Sequence, residues 1–223
     1  MSELQTLMHS AATLGVDLGE AQGALLLRLL DELAAWNKAY NLTAITERSA
    51  MLTHHLLDSL SVNADLAGTR IADVGTGAGF PGLPLALLNP ERHFTLIDSS
   101  GKKIRFVAHA ARTLGLANVE ALHKRAEDMA VSAPFDTVLA RALAALPELI
   151  ATVTALCGAG TRVIAMKGRY PAAEIAALPA SWPLADCRAV AVPGLAAERH
   201  VLRFVAPGPR RADQPGAAGS PAG

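Results

Sequence analysis

From Arg70 onward the chain is cut into short apolar runs, and the distance between them constrains the fold more than any other feature. The runs are Arg70-Ile71-Ala72-Asp73-Val74, His93-Phe94-Thr95-Leu96-Ile97, Val119-Glu120-Ala121-Leu122, Phe135-Asp136-Thr137-Val138-Leu139 and Arg162-Val163-Ile164-Ala165-Met166. Most start roughly 20–30 residues after the last, enough for one helix and its turns between neighbours. Such spacing builds βαβ units, and these build a parallel sheet with helices on its faces. Two further runs, near Cys187–Val192 and His200–Val205, lie too close for a helical crossover and predict an antiparallel hairpin or sheet edge. The expected class is α/β.

Residues 1–66 follow a different period. Leu25, Leu26, Leu29, Leu30, Leu33 and Trp36 keep helical spacing, Glu20 suits a first turn, and the stretch from Met51 to Leu66 repeats the pattern. Before Ile71 the chain carries four Lys+Arg against eight Asp+Glu, so this helical N-terminal extension is mildly acidic. Residues 67–206 hold the α/β core. Residues 207–223, rich in Pro, Gly and Ala around Arg210-Arg211, cannot bury a core and read as a disordered tail.

Composition excludes several classes. With 223 residues, 51% hydrophobic, the chain can bury one sizeable core. Twenty Lys+Arg balance twenty Asp+Glu, which argues against a sequence-blind polyanion binder that depends on a large positive field. Cys157 and Cys187 alone make no disulfide framework and no zinc spacing, as suits a reducing compartment. The first residues lack the basic and apolar parts of a signal peptide, and no uncharged apolar run reaches the about 20 residues a bilayer takes. A cytoplasmic protein with no membrane partner and no metal is expected, acting as a monomer.

The chemistry concentrates after the first run, in Asp73-Val74-Gly75-Thr76-Gly77-Ala78-Gly79-Phe80-Pro81-Gly82. Glycines between a strand and a helix allow positive φ and let a ligand approach the backbone, and Pro81 and Pro84 suit a helix's first turn. Gly77, Gly79 and Gly82 satisfy the dinucleotide fingerprint G-x-G-x-x-G, which keeps an NAD-dependent oxidoreductase as the alternative. Asp73 tips the balance. A carboxylate beside the loop opposes a pyrophosphate and favours a cationic, amine-bearing ligand such as S-adenosylmethionine. The pattern D-x-G-x-G-x-G through Asp73, Gly75, Gly77 and Gly79 is the usual opening of class I methyltransferases. Asp98 ends the second run, where an acid can accept from ribose hydroxyls or cap a helix. Ala126–Glu127, after the third run, would border an adenine ring.

The fourth run leads into Arg141. No Asn/Asp-Pro-Pro-aromatic motif for amine methylation stands there. Neither cysteine is placed as a nucleophile: Cys157 reads as a helix-end or loop residue, and Cys187 lies near the last strands. A methyl acceptor that is already nucleophilic remains, such as N7 of guanine, for which alignment is the main task. Arg141 could bond guanine O6, bind phosphate, orient the cofactor loop, or form a structural ion pair with Asp136 or Glu127. A SAM-binding RNA module without activity is a third reading.

These residues, together with Trp36-Asn37-Lys38-Ala39-Tyr40-Asn41-Leu42-Thr43, His55-Leu56-Leu57-Asp58-Ser59, Lys102-Lys103, Lys167-Gly168 and Glu198-Arg199-His200, resemble the RsmG (GidB) family of bacterial ribosomal RNA methyltransferases. The resemblance implies a seven-stranded, mostly parallel, Rossmann-like class I methyltransferase fold with a helical extension. It implies methyl transfer from S-adenosylmethionine to guanine N7 in 16S rRNA, with the rRNA or the small ribosomal subunit as partner. It implies cofactor contacts at Gly75, Phe80, Ala126, Glu127 and Arg141, the last also the catalytic candidate. In the extension, Trp36 is expected to pack helices onto the sheet. His55 and Asp58, a turn apart, could hydrogen-bond and shape the mouth of the cleft.

Overall fold

The computed structural model describes residues 1–207. The expectation of a disordered tail therefore lies, past Pro207, outside the described residues. Helix α1 (Glu3–Thr13) opens with a capping box between Ser2 and Gln5. Helix α2 (Glu20–Tyr40) buries Leu26, Leu29, Leu30 and Leu33, the face its periodicity marked. It stops at Asn41, which takes a left-handed φ of 47°. Asn37 holds that stop: its Oδ1 accepts from Leu42 N at 2.6 Å and Thr43 N at 2.9 Å, and its Nδ2 donates to Thr43 O at 3.0 Å. Trp36 packs against Tyr40, Phe106 and His109, with ring centroids 5.2, 5.7 and 4.9 Å apart. Asn37 and Thr43 thus lock the turn at Asn41, and Trp36 seats the helix.

The next helix is broken in its middle. Short α3 (Arg48–Met51) runs into a π-helical segment (Leu52–Leu57) and leaves through α4 (Asp58–Leu60). A π turn takes an extra residue, so residues three apart no longer share a face. The expected His55–Asp58 hydrogen bond is absent for this reason. His55 Nε2 lies 3.2 Å from Thr43 Oγ1, and Asp58 turns to other partners.

The sheet has seven strands in the order β3-β2-β1-β4-β5-β7-β6. These are β1 (Arg70–Val74), β2 (His93–Asp98), β3 (Val119–His123), β4 (Phe135–Arg141), β5 (Cys157–Lys167), β6 (Leu184–Ala189) and β7 (His200–Val205). Pairs among β1 to β5 are parallel, whereas β7 runs antiparallel to both β5 and β6. Two features depart from the expected pattern. The last strands begin at Leu184 instead of Cys187, and β5 starts at Cys157, which pairs with Phe135. Cys157 therefore caps the end of the 3-10 turn Thr154–Leu156, as a helix-end residue, and is also the first residue of β5. The sequence hid this because Gly158 and Gly160 interrupt the apolar run, and a register shift between Phe135 and Thr137 absorbs them.

Strand alternation sorts the core into two layers. Ile71, Phe94, Leu96, Leu139 and Ile164 face α1, α2, the broken helix, α5 (Gly82–Leu88) and α6 (Gly101–Thr113) in one apolar cluster. Ala72, Ile97, Val138, Ala140 and Val163 face α7 (Leu146–Val153) in the other. The N-terminal helices thus share a core with the sheet. The loops after β1, β2 and β4 gather at one edge, where the strand order reverses between β1 and β4. That is where open α/β sheets bind ligands.

Thr137, fully buried on β4, pins the loop that feeds β1. Its hydroxyl accepts from Ala67 N at 2.9 Å and donates to Ala67 O at 2.8 Å. Thr137→Val should cost about 1–3 kcal/mol in urea unfolding, because both groups of Ala67 lose their partner. A loss below about 0.5 kcal/mol would mean that water replaces the hydroxyl.

Candidate functional site

Two clefts open at the carboxyl edge of the sheet. The first, of about 360 Å³, is lined by Val74, Gly75, Ile97, Asp98, Ala126 and Glu127, with Ala142 and Leu143 across from them. The glycine loop that walls it is held from beneath. Asp73 is completely buried, and its Oδ2 accepts from Thr76 Oγ1 at 2.6 Å and from Gly82 N at 2.8 Å. A Cβ on Gly82 would lie 2.8 Å from that oxygen and 2.7 Å from Leu96, so only glycine permits the approach. Asp73 Oδ1 has no partner among the described residues. Burial, partly opposed by those two hydrogen bonds, pushes the Asp73 carboxyl up to about 6.

Asp98 ties the loop to β2. Its Oδ2 accepts from Gly77 N at 2.9 Å and its Oδ1 from Ser100 N at 2.8 Å. Gly77 has a φ of 62°, and a Cβ there would meet nothing within 4 Å. Gly75, at φ 68°, would drive a Cβ to 2.5 Å from Leu143. The loop therefore presents bare backbone toward open space while Asp98 orients it, a surface that suits a ligand lying along the main chain.

The second cleft, of about 300 Å³, adjoins the first at Ala142, which lines both. Ala142 holds a φ of 52°, a strained conformation for a residue with a Cβ, at the end of β4. The second cleft is lined by Ile45, His54, His55, Asp58, Arg141, Met166, Lys167 and Arg199, among others. At its base lies a buried ion triad. Asp58, its side chain 3% exposed, receives Arg141 Nη1 on Oδ2 at 3.0 Å and Arg199 Nε on Oδ1 at 2.9 Å. Arg141 Nη1 also donates to His54 O at 2.9 Å. Its guanidinium lies 5.9 Å from the Phe80 ring, on which His55 stacks at 4.8 Å. Burial, with Arg141 and His54 adding to it, lowers the His55 imidazole to about 4, so the ring is neutral. Lys167 braces the opposite wall, donating to Ala144 O at 2.6 Å and pairing with Glu174 at 2.8 Å.

The structure separates the predicted residues into three groups. Gly75, Asp98, Ala126 and Glu127 line the first cleft. Asp73, Gly77, Gly79 and Phe80 do not; they shape the loop, with Gly79 needed because a Cβ would strike Leu83 at 2.3 Å. Arg141 lines the second cleft and is paired with Asp58, not with Asp136 or Glu127. Asp136 instead accepts from Thr69 N and Arg70 N, and Glu127 lies near Arg125. The Asp58–Arg199 pair, the strained Ala142 and the bracing role of Lys167 carry no local sequence signal, since each depends on contacts made across the fold.

Asp73 and His55 oppose each other in pH. The folded-state value of Asp73 is raised from 3.8, so its contribution to stability is whole below that value and is lost as pH rises toward 6. The value for His55 is depressed from 6.5, so its contribution is present above 6.5 and is lost as pH falls toward 4. Between pH 4 and 6, Asp73→Asn should make stability rise more steeply with pH than in the parent chain, by up to about 1.4 kcal/mol per unit. His55→Gln should tilt it the other way. Urea titrations across that window with unchanged slopes for both variants would contradict the assignment.

Comparison with known proteins agrees with this architecture. The family model described as GidB, rRNA small subunit methyltransferase G, matches residues 22–202. A "Ribosomal RNA small subunit methyltransferase G" from Pseudomonas syringae pv. tomato is 46% identical over 198 residues, covering 89% of this chain and 94% of its own. Another of that name from Alkalilimnicola ehrlichii is 46% identical over 204 residues, 92% and 93% of the two chains. Among solved structures, magnesium protoporphyrin IX methyltransferase from Synechocystis, with bound SAM, superimposes with a TM-score of 0.58 at 16% identity. The match covers 79% of this chain and 90% of that one, a likeness of fold. None of these supports the oxidoreductase alternative. With its glycine loop, its seven-stranded sheet and a match over most of its length, the chain belongs to the rRNA small subunit methyltransferase G family.

Proposed function

We propose that this chain transfers the methyl group of S-adenosylmethionine to N7 of a guanine in the 16S rRNA of the small ribosomal subunit. In this reading residues 67–206 form the catalytic core, and the helices of residues 1–66 form an extension that walls the acceptor side. The observation that carries it is the junction at Ala142: a cleft bounded by Asp98 and Ala126–Glu127 meets a second, arginine-bearing cleft at one backbone position.

The first cleft fits the cofactor by its donor set. Asp98 stands at the end of β2, where a carboxylate can accept from ribose hydroxyls, and the Ala126–Glu127 segment supplies backbone and carboxylate groups for an adenine amine. At Gly77 a Cβ would meet nothing within 4 Å, which leaves room for a ligand beside the loop backbone. When bound, S-adenosylmethionine supplies a methyl group on a cationic sulfur, which departs as a neutral thioether while the positive charge passes to the purine. Guanine N7 has an in-plane lone pair, so no base has to remove a proton first. The protein's own groups accord with that. Asp73 lies buried beneath the loop, and the neutral His55 is engaged by Thr43 and Phe80. The work left to the chain is alignment and exclusion of water, which in favourable cases is worth about 7–11 kcal/mol of barrier. Arg141, 5.9 Å from the Phe80 ring and fixed by Asp58, acts in this reading by holding the loop against the N-terminal helices.

Methyl-labelled cofactor incubated with small subunits or 16S rRNA from cells lacking the modification should place the label in 7-methylguanosine after digestion. Label in another nucleoside, or none, would reject the reading. Gly77→Asp should reduce S-adenosylhomocysteine affinity at least about a hundredfold. It strains a left-handed φ and sets a second carboxylate beside Asp98. Affinity preserved in calorimetry would remove the loop from the cofactor site.

A further inference from the structure

We infer that the second cleft is the acceptor-base pocket and that Arg199 is its specificity-determining residue, reading the 6-oxo group of a flipped-out purine. The inference rests on the methyltransferase reading above and assigns the substrate side of that site. A volume of about 300 Å³ lies at the small end of ligand pockets, which suits one nucleotide and not a base-paired stack. The walls divide chemically. Ile45, Met166 and Ala142 offer apolar surface for a purine face, the two arginines gather around Asp58, and Lys167 is committed to Ala144 O and Glu174.

The polar inventory then selects the base. Both oxygens of Asp58 are taken by arginines. Arg199 spends Nε on Asp58 and Nη1 on Glu198 O, at 2.9 Å each, while its Nη2 has no partner among the described residues. Arg141 spends only Nη1. The uncommitted guanidinium atoms are donors, because arginine has no acceptor. A donor pairs with the O6 acceptor of guanine and not with the N6 amine of adenine, which is itself a donor. Arginine commonly grips O6 and N7 together. Here N7 must stay free to attack, so one donor to O6 is the compatible arrangement. Asp58, between the two guanidiniums, offsets one of their charges. The base therefore meets a hydrogen-bond donor without two bare cations beside its nucleophilic atom.

The Asp58 clamp is what makes Arg199 selective. An arginine held at Nε and Nη1 has a fixed plane and presents Nη2 in one direction, whereas lysine in the same place keeps the charge and loses the fork. A purely structural Arg199 would stabilise Asp58 without affecting which base binds.

The test is nucleotide binding to the full chain saturated with S-adenosylhomocysteine, read from the ring-proton resonances of His54 and His55. GMP and IMP, which share the 6-oxo group, should shift these resonances with affinities about tenfold or more above that of AMP. In Arg199→Lys the preference should fall below about threefold, with S-adenosylhomocysteine affinity unchanged. Equal binding of GMP and AMP, a preference that survives in Arg199→Lys, or no shift with millimolar GMP would each overturn the assignment. A chain that binds GMP here but methylates no rRNA would keep the pocket and lose the parent reading. A chain that methylates rRNA with the GMP preference intact in Arg199→Lys would do the reverse.

Discussion

Asp58 has both carboxylate oxygens engaged by arginines that are far apart in sequence, Arg141 at the end of β4 and Arg199 just before β7. Burying such a group costs several kcal/mol of desolvation, which is offset only when geometry and hydrogen bonding are good. The geometry here qualifies, with 3.0 and 2.9 Å contacts and a second acceptor for Arg141 at His54 O. The triad joins the N-terminal helices to the functional edge of the sheet. It fixes Arg141 near Phe80, and Phe80 belongs to the glycine loop. Its third member borders the second cleft. The glycine loop, the strained Ala142 after β4 and the wall of the second cleft are therefore referenced to one buried carboxylate.

This arrangement explains why the π turn at Leu52–Leu57 matters. A regular helix would keep His55 and Asp58 on neighbouring faces. The extra residue in the turn sends His55 toward Thr43 and Phe80 and leaves Asp58 for the arginines. One local irregularity lets a single short helix serve both the loop and the ion triad. Such π segments occur often at functional sites.

Much of the fold was legible in the sequence because it follows from period and turn chemistry. The five parallel strands coincide with apolar runs, and the glycine loop stands where the chain passes from β1 to α5. The motif from Trp36 to Thr43 was only partly legible: the packing of Trp36 follows from its spacing, but the role of Asn37 in closing a left-handed turn does not. Strand β5 was read too short because Gly158 and Gly160 mask its start. In the site, Gly75, Asp98, Ala126 and Glu127 line the first cleft. Asp73 was assigned a ligand-facing charge but lies beneath the loop, since burial and hydrogen bonding to Thr76 and Gly82 are tertiary facts. The partner of Arg141, Asp58, was not among the ion-pair candidates Asp136 and Glu127 for the same reason. An ion pair across 83 residues leaves no mark in local spacing.

In the proposed reaction, donor and acceptor occupy the two clefts that meet at Ala142. A crystal structure of the chain with S-adenosylhomocysteine tests this placement most directly. Ribose density is expected against Asp98, adenine beside Ala126–Glu127, and the sulfur directed toward Ala142 and the neighbouring cleft. Density in the Asp58–Lys167 cleft instead, or a sulfur turned away from Ala142, would contradict it.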